Sequence, residues 1–391
     1  MLELDIDRVN RMILTKHHLT PNSKIDEILM ITDDLCGLHG TGTIEPYLSL
    51  FARMHHFNKE SLDNELYVSK NLGRIRGMRK TLFIETKEMI PIVYNLIKSQ
   101  TAQRDEMYLK YTGISKDEYA SISSQILALL NQEELSTIDI KKKLNSGKDV
   151  TAIVSVMCDE MLLIRGKPLK SWRDRRIYYA PFNTYFPYID LNQYSEPKAI
   201  QILIGKYIKT YGPVTEEDIA WWLGTTKTKV KKAINTIKPH LELIKIKGLN
   251  LDYFIYQNEL ISIKSPSNES ETIINILPSL DPYIMGYKSR ERYVVNNFYD
   301  YVFDPTGNGT TTILINGSVV GIWDFIEKPE PLIKIYIFKE TDAKIMEAIK
   351  AACQKLGTFL TGKNVRIKEC TKMIPLTKQT RGRFMSPLKE C

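Results

Sequence analysis

Cysteine and histidine are scarce in this chain, and the few present are poorly spaced for metal or disulfide chemistry. Among 391 residues there are 5 cysteines and 6 histidines. Cys36, Cys158, Cys353, Cys370 and Cys391 are odd in number, scattered, and never part of a Cys-x-x-Cys pair. That pattern predicts free thiols, with no zinc or disulfide framework. His17-His18, His39, His55-His56 and His240 offer no metal-ligand spacing. No apolar run approaches the roughly 20 residues that span a bilayer. The N-terminus, Met1-Leu2-Glu3-Leu4-Asp5-Ile6-Asp7, is acidic where a signal peptide is basic. The expectation is a cytoplasmic chain with no membrane partner, metal or cofactor. Carboxylates do not cluster as a Mg²⁺ site requires, which weighs against a nuclease.

What is present is an ordinary globular composition, 43% hydrophobic and 26% charged, long enough for two to four small domains or one large one. Net charge is +8, from 54 basic and 46 acidic residues. This favours a polyanionic partner only moderately, so the placement of the cations carries more information than their sum.

Apolar periodicity predicts three successive units, each with helices closed by a hairpin. In residues 1–98 the expected helices are Ile6 to Thr15, Ile25 to Leu38, Tyr47 to Phe57 and a short one from Ser61. A basic strand pair, Arg74 to Glu85, and a connecting helix, Glu88 to Ser99, follow. Residues 99–195 repeat the plan, with helices at Lys116 to Asn131, at Thr137 to Leu144 and around Val150 to Met157. Two apolar strands then flank a loop carrying Lys167, Trp172, Arg173 and Arg175. That composition suits a phosphate clamp beside an exposed aromatic surface, or else a solvated hairpin tip. In residues 196–264, Gly212-Pro213 breaks one helix, Thr215 and Asp218 form a capping box for the next, and Gly224 ends it. Thr225 is the expected cap of a last helix that leaves Lys227, Lys229, Lys231 and Lys232 outside. Helix, turn, helix and hairpin is the layout of a winged helix. A polar linker, 265–270, leads into a β-rich segment, 265–391, with a hairpin at Ile313 to Trp323, a helix at Asp342 to Leu356 and a basic tail, 372–389, expected to be mobile. The fold class is therefore α+β, mostly α: three tandem winged-helix modules followed by a C-terminal β-rich α+β segment.

The most unusual stretch is Gly37-Leu38-His39-Gly40-Thr41-Gly42-Thr43-Ile44-Glu45-Pro46-Tyr47, a polar elbow between two helical patterns. Its glycines permit close backbone approach, so it could hold a water or a sugar-phosphate group. Downstream comes Arg74-Ile75-Arg76-Gly77-Met78-Arg79-Lys80-Thr81-Leu82. Strand alternation puts Arg74 and Arg76 on one face, where like charges repel unless an anion lies between them.

This order of helix, elbow, helix and basic strand resembles the tandem winged-helix DNA glycosylases of the AlkZ and YcaQ type. Their elbow usually reads Gly-Leu-Gln-x-Gln or Gly-Leu-Gln-x-Asp, and the two polar positions fall here on His39 and Thr41. Further resemblance lies in Tyr211-Gly212-Pro213-Val214-Thr215, in Ala220-Trp221-Trp222-Leu223-Gly224, in Leu277-Pro278-Ser279-Leu280-Asp281-Pro282, and in Asn316-Gly317 with Val319 to Trp323. It extends over about residues 5 to 335.

The resemblance implies a nucleoid-associated monomer that binds double-stranded DNA carrying a damaged base and hydrolyses the bond between that base and the sugar C1′. Such a reaction needs a positioned water and negative charge beside the developing oxocarbenium ion. The candidates are His39 as base, Thr41 as a second acceptor, and Glu45 or Asp281 as the carboxylate. Arg53, Arg74, Arg76, Arg79 and Lys80 join the loop and helix cations as DNA ligands. Neither family glutamine is present here. Three outcomes fit that change: His39 is the base, the substrate has changed to a neutral, deaminated lesion, or the chain only binds DNA. Each candidate also has a plainer role. His39 could be a buried or helix-capping histidine, Glu45 a carboxylate serving the helix dipole, and Asp281 a turn former.

Overall fold

The computed structural model describes residues 1–260, 271–379, 386–389 and 391. The polar linker at 265–270 and residues 380–385 of the basic tail lie outside the described residues. The helices are α1 (Ile6–Lys16), α2 (Ile28–Asp34), α3 (Glu45–Arg53), α4 (Lys59–Asp63), α5 (Ile90–Tyr111), α6 (Lys116–Leu130), α7 (Thr137–Leu144), α8 (Val150–Asp159), α9 (Phe182–Tyr185), α10 (Glu196–Tyr211), α11 (Glu216–Leu223) and α12 (Lys227–Ile237). In the C-terminal part come the one-turn helices α13 (Pro282–Met285) and α14 (Tyr299–Val302), then the long α15 (Ala343–Thr361). The protein is thus a mixed α+β fold.

Three sheets tie distant parts of the chain together. The largest has six strands: β2 (Leu38–His39), β4 (Leu82–Thr86), β3 (Leu72–Arg76), β6 (Leu163–Pro168), β7 (Ile177–Pro181) and β5 (Leu135–Ser136), in that spatial order. The hairpin at 72–86 and the hairpin at 163–181 are therefore joined edge to edge, through the Arg74–Arg165 pair. A three-stranded sheet sets β1 (Leu2–Leu4) parallel to β8 (Leu241–Ile246), which pairs with β9 (Leu249–Tyr256). The third sheet runs β10 (Ile274–Leu277), β11 (Thr312–Ile315), β12 (Ser318–Ile326), β13 (Leu332–Ile337) and β14 (Arg366–Glu369), with α15 packed against it.

Local signals account for most element ends. Thr215 and Asp218 form the expected reciprocal cap at the start of α11, with Asp218 N donating to Thr215 Oγ1 at 3.0 Å and Thr215 N to Asp218 Oδ2 at 3.0 Å. Gly224 closes α11 in the left-handed region, φ +66°, where a side chain would be strained. The next cap is Thr226, whose hydroxyl accepts from Lys229 N, so the expected Thr225 is one residue early. Asn316 and Gly317, φ 50° and 82°, form the turn between β11 and β12 as a mirror-image hairpin turn demands.

Three expectations need correction. The helix from Ile25 to Leu38 is only α2, because Cys36 and Gly37 turn left-handed (φ 55° and 95°) and Leu38–His39 pairs as a strand with β4. Apolar periodicity cannot distinguish a helix end from a short edge strand. Cys370 and Cys391 are not free thiols: their sulfurs are bonded at 1.95 Å. The chain end folds back along β13, with Cys370 N donating to Ile335 O and Lys334 Nζ to Leu388 O, a tertiary return that spacing cannot reveal. For the same reason the described part of the tail is packed, with Leu376 and Leu388 both buried.

Candidate active site at the glycine elbow

β2 is an edge strand, and its register decides what each elbow residue faces. Leu38 pairs with Ile84, Ile84 with Arg74, Arg74 with Arg165, and Arg165 with Tyr179. Residues directly opposite across strands share a face, so this row lies on one side of the sheet. His39, Phe83 and Ile75 form the next row, on the other side. The elbow histidine and the Arg74 guanidinium therefore leave the sheet in opposite directions.

The His39 ring is 6% exposed and lies 5.1 Å from the Phe83 ring, with Nδ1 sealed and unpartnered. Burial, reinforced by the Arg79 charge, pushes its pKa down to about 3, so the imidazole is neutral at physiological pH. Behind it, Glu85 is fully buried with both carboxyl oxygens unpaired, and a Cβ on Gly37 would fall 2.3 Å from Glu85 Oε1. Burial holds the Glu85 carboxyl well above the usual carboxylate range.

On the opposite side the elbow is open and charged. Thr41 is exposed, and the Arg74 Nη2 donates to the carbonyls of Thr41 and Gly42, each at 3.4 Å. Glu45, half-buried at the start of α3, accepts from Ile44 N and from Ser279 Oγ, both at 3.2 Å. Its carboxylate lies directly over Gly42: a Cβ there would be 1.8 Å from Glu45 Oε2. Thr41, Glu45 and Arg74 thus meet at one glycine step, the guanidinium on the Thr41 and Gly42 carbonyls and the carboxylate over the Gly42 α-carbon. Nearby, the Tyr47 hydroxyl donates to Asp63 Oδ1 at 2.5 Å, and Tyr67, an electrostatic neighbour of Arg74, is pushed up to about 12 by burial.

Several expected site residues lie elsewhere. Asp281 and Arg53 are fully buried and grip each other through two bonds of 2.8 Å, with Ser49 Oγ and Tyr283 N also donating to Asp281. Both side chains are closed off from solvent, and the pair pins α3 to the C-terminal sheet segment. Arg76 is held by Asp159 at 2.7 Å, and Asp159 also meets Arg104 and Arg165. Asp159 of α8 thus serves Arg76 together with Arg104 and Arg165, while Arg74 is held by the elbow carbonyls. Trp172 is half-buried, its ring edge-on to Tyr47 at 5.0 Å and near Phe359 at 6.2 Å, so it is a packed joint and not an exposed platform. Arg173 bonds Leu360 O and Glu327, both at 2.8 Å.

Of the expected DNA ligands, Lys80, Lys167, Arg175 and the α12 lysines are exposed. Arg79 stacks over Trp221 at 4.0 Å, and burial followed by the Arg290 charge pushes it down to about 10. Lys227, Lys229 and Lys231 pair with Glu217, Glu196 and Glu216, at 3.8, 2.5 and 3.9 Å, contacts weak enough for phosphates to replace. Lys232 has no ion pair among the described residues. Sequence reasoning missed Asp159, Arg165, Tyr67 and Lys59. Of these only Arg165 carried a signal, by alternation in its strand. No group of histidine, cysteine and carboxylate side chains among the described residues could hold a metal, and no helix there is long and apolar enough to cross a membrane.

Comparison with known proteins agrees with this layout. The interstrand DNA cross-link repair glycosylase of Streptomyces sahachiroi is 19% identical over 312 residues, covering 75% of this chain and 81% of that protein. The solved structure of the DNA glycosylase AlkZ from the same organism superposes with a TM-score of 0.76 at 16% identity, covering 94% of this chain and all of that one. A family model described as DNA glycosylase AlkZ-like matches residues 32–359, a span that includes the elbow, the basic hairpins and α12. The chain belongs to the AlkZ-like DNA glycosylase family, hydrolases of N-glycosyl bonds acting in DNA repair.

Proposed function

We propose that this protein is a monofunctional DNA glycosylase that releases an alkylated or deaminated base from double-stranded DNA, working as a monomer. Residues 1–98, 99–195 and 196–264 act as tandem winged helices on the duplex, and 265–391 braces them. The observation that carries this reading is the family match across residues 32–359, which includes the open elbow with Glu45 and Arg74 beside one glycine step.

Breaking the bond from base nitrogen to C1′ builds positive charge on the sugar, so the group closest to the chemistry should be a carboxylate. Glu45 fits: it is half-exposed, steered by Ser279 and next to exposed Thr41, with which it can hold a water. Arg74 keeps the elbow carbonyls fixed and offers its charge to a flanking phosphate. His39, neutral and turned to the other face, supports the elbow from behind and does not act as the base.

Purified protein should create alkali-labile sites in duplexes carrying N7-alkylguanine, hypoxanthine or uracil. The name of the Streptomyces relative adds an interstrand cross-link to that panel. Glu45→Gln should slow release by about 10²–10⁴-fold, the usual worth of a positioned acid–base group, with DNA binding within a few fold. A second reading, DNA binding without catalysis, is favoured by the sealed His39 ring where the family has glutamine. Absence of release from every lesion would decide for it.

A further inference from the structure

A groove of about 820 Å³ lies between the C-terminal end of α3, β10 and α15. Its floor is aromatic and small. Phe51 and Phe359 stack at 4.5 Å between ring centres, both half-exposed, and Ala351 and Ala352 keep the α15 wall low. Its charged lining is of one sign, Lys24 and Lys355, with no carboxylate among the residues that line it. Among the described residues neither Lys24 nor Lys355 has an ion pair, and burial followed by the charges of Arg53 and Lys355 pulls Lys24 below the usual lysine range. Asn275, also in the lining and 6% exposed, donates its amide to Leu19 O and leaves Oδ1 buried and unpartnered. Lys59 adds another cation, 4.9 Å above the Phe359 ring.

Flat aromatic surface and ammonium groups within a volume typical of ligand sites match one chemistry: an aromatic base that carries a phosphate. Stacking supplies sequence-tolerant affinity, and the cations meet the backbone. The distance from the elbow sets the source. Phe51 is six residues along α3 from Glu45, about 9 Å at 1.5 Å per residue, or two to three steps along a strand rising about 3.4 Å per nucleotide.

We propose that this groove receives one unpaired nucleotide of the bound DNA strand, a second nucleotide site beside the elbow. The inference rests on DNA binding by this chain but not on catalysis at Glu45. The test compares a fully paired duplex with the same duplex carrying a single bulged nucleotide, both undamaged. Lys24→Ala/Lys355→Ala should weaken binding to the bulged duplex about tenfold, leave the paired duplex within twofold, and be rescued by Lys24→Arg/Lys355→Arg. A 5-iodouracil in the bulge should photocross-link to a peptide containing Phe51 or Phe359. Equal loss on both duplexes, or no loss on either, overturns the proposal. So does binding of free deoxyguanosine monophosphate at the groove without any preference for the bulge. Bulge discrimination that persists in a protein releasing no base from any lesion would sink the glycosylase reading and leave this one standing.

Discussion

Replacing Asp281 by alanine should remove a large share of the stability of this protein, about 4–6 kcal/mol. The Asp281 carboxylate and the Arg53 guanidinium are both inaccessible to solvent and share two bonds of 2.8 Å. Taking away one partner strands the other as a buried, uncompensated charge, which costs about 3–5 kcal/mol. Asp281 also caps α13 by accepting from Tyr283 N at 2.9 Å, and loss of a cap adds about 1 kcal/mol. Whole domains are stable by only about 5–15 kcal/mol, so Asp281→Ala should unfold at far lower urea in a titration followed by circular dichroism. Arg53→Leu/Asp281→Leu removes both charges, and should be milder than either single substitution. In folded protein, Asp281→Asn should release base at a rate within a few fold of the parent, because the side chain is fully buried against Arg53. The reasoning is refuted if Asp281→Ala costs under about 1 kcal/mol, or if the double variant equals the sum of the singles, which would mean the pair is uncoupled. A large rate loss at unchanged stability would instead restore Asp281 to the chemistry.

Three further outcomes follow from the geometry. The depressed pKa of His39 means that the unfolded chain binds the extra proton between about 3 and 6.5. Its contribution to stability is present above pH 6.5 and lost as pH falls through that window; His39→Gln should flatten acid unfolding there, and base release should show no inflection from this ring above pH 5.5. Glu85 has the opposite sign: its raised pKa gives stability that is full below the unfolded value of 4.5 and declines as pH rises. Glu85→Gln should therefore be more stable than the parent at pH 8, and a parent curve rising with pH in the region of Glu85 titration would contradict this. Lys227→Ala/Lys231→Ala/Lys232→Ala should shallow the salt dependence of DNA binding, each phosphate contact contributing a slope of about 0.9 in log–log terms; an unchanged slope would put α12 away from DNA.

The spans of α6, α7, α8 and α11, the Thr215–Asp218 cap, the Asn316-Gly317 turn and the hairpins β3–β4, β6–β7, β8–β9 and β11–β12 were legible in the sequence, as was the family through its ordered motifs. These depend on neighbours a few residues apart, where helical or strand periodicity and turn chemistry leave a direct trace. The elbow was located in the same way, as a glycine-rich interruption between two patterns. What each charge faces was settled only by the tertiary structure. Asp281 meets Arg53 across 228 residues, Arg76 meets Asp159 across 83, and Trp172 packs on Tyr47 and Phe359 from two other parts of the chain. A one-residue step in the register of β2 would have exchanged the faces of Leu38 and His39. Periodicity decides which residues can share a face, but only the closed fold decides what lies opposite, and burial opposite a partner is what turns a candidate catalyst into a structural pin.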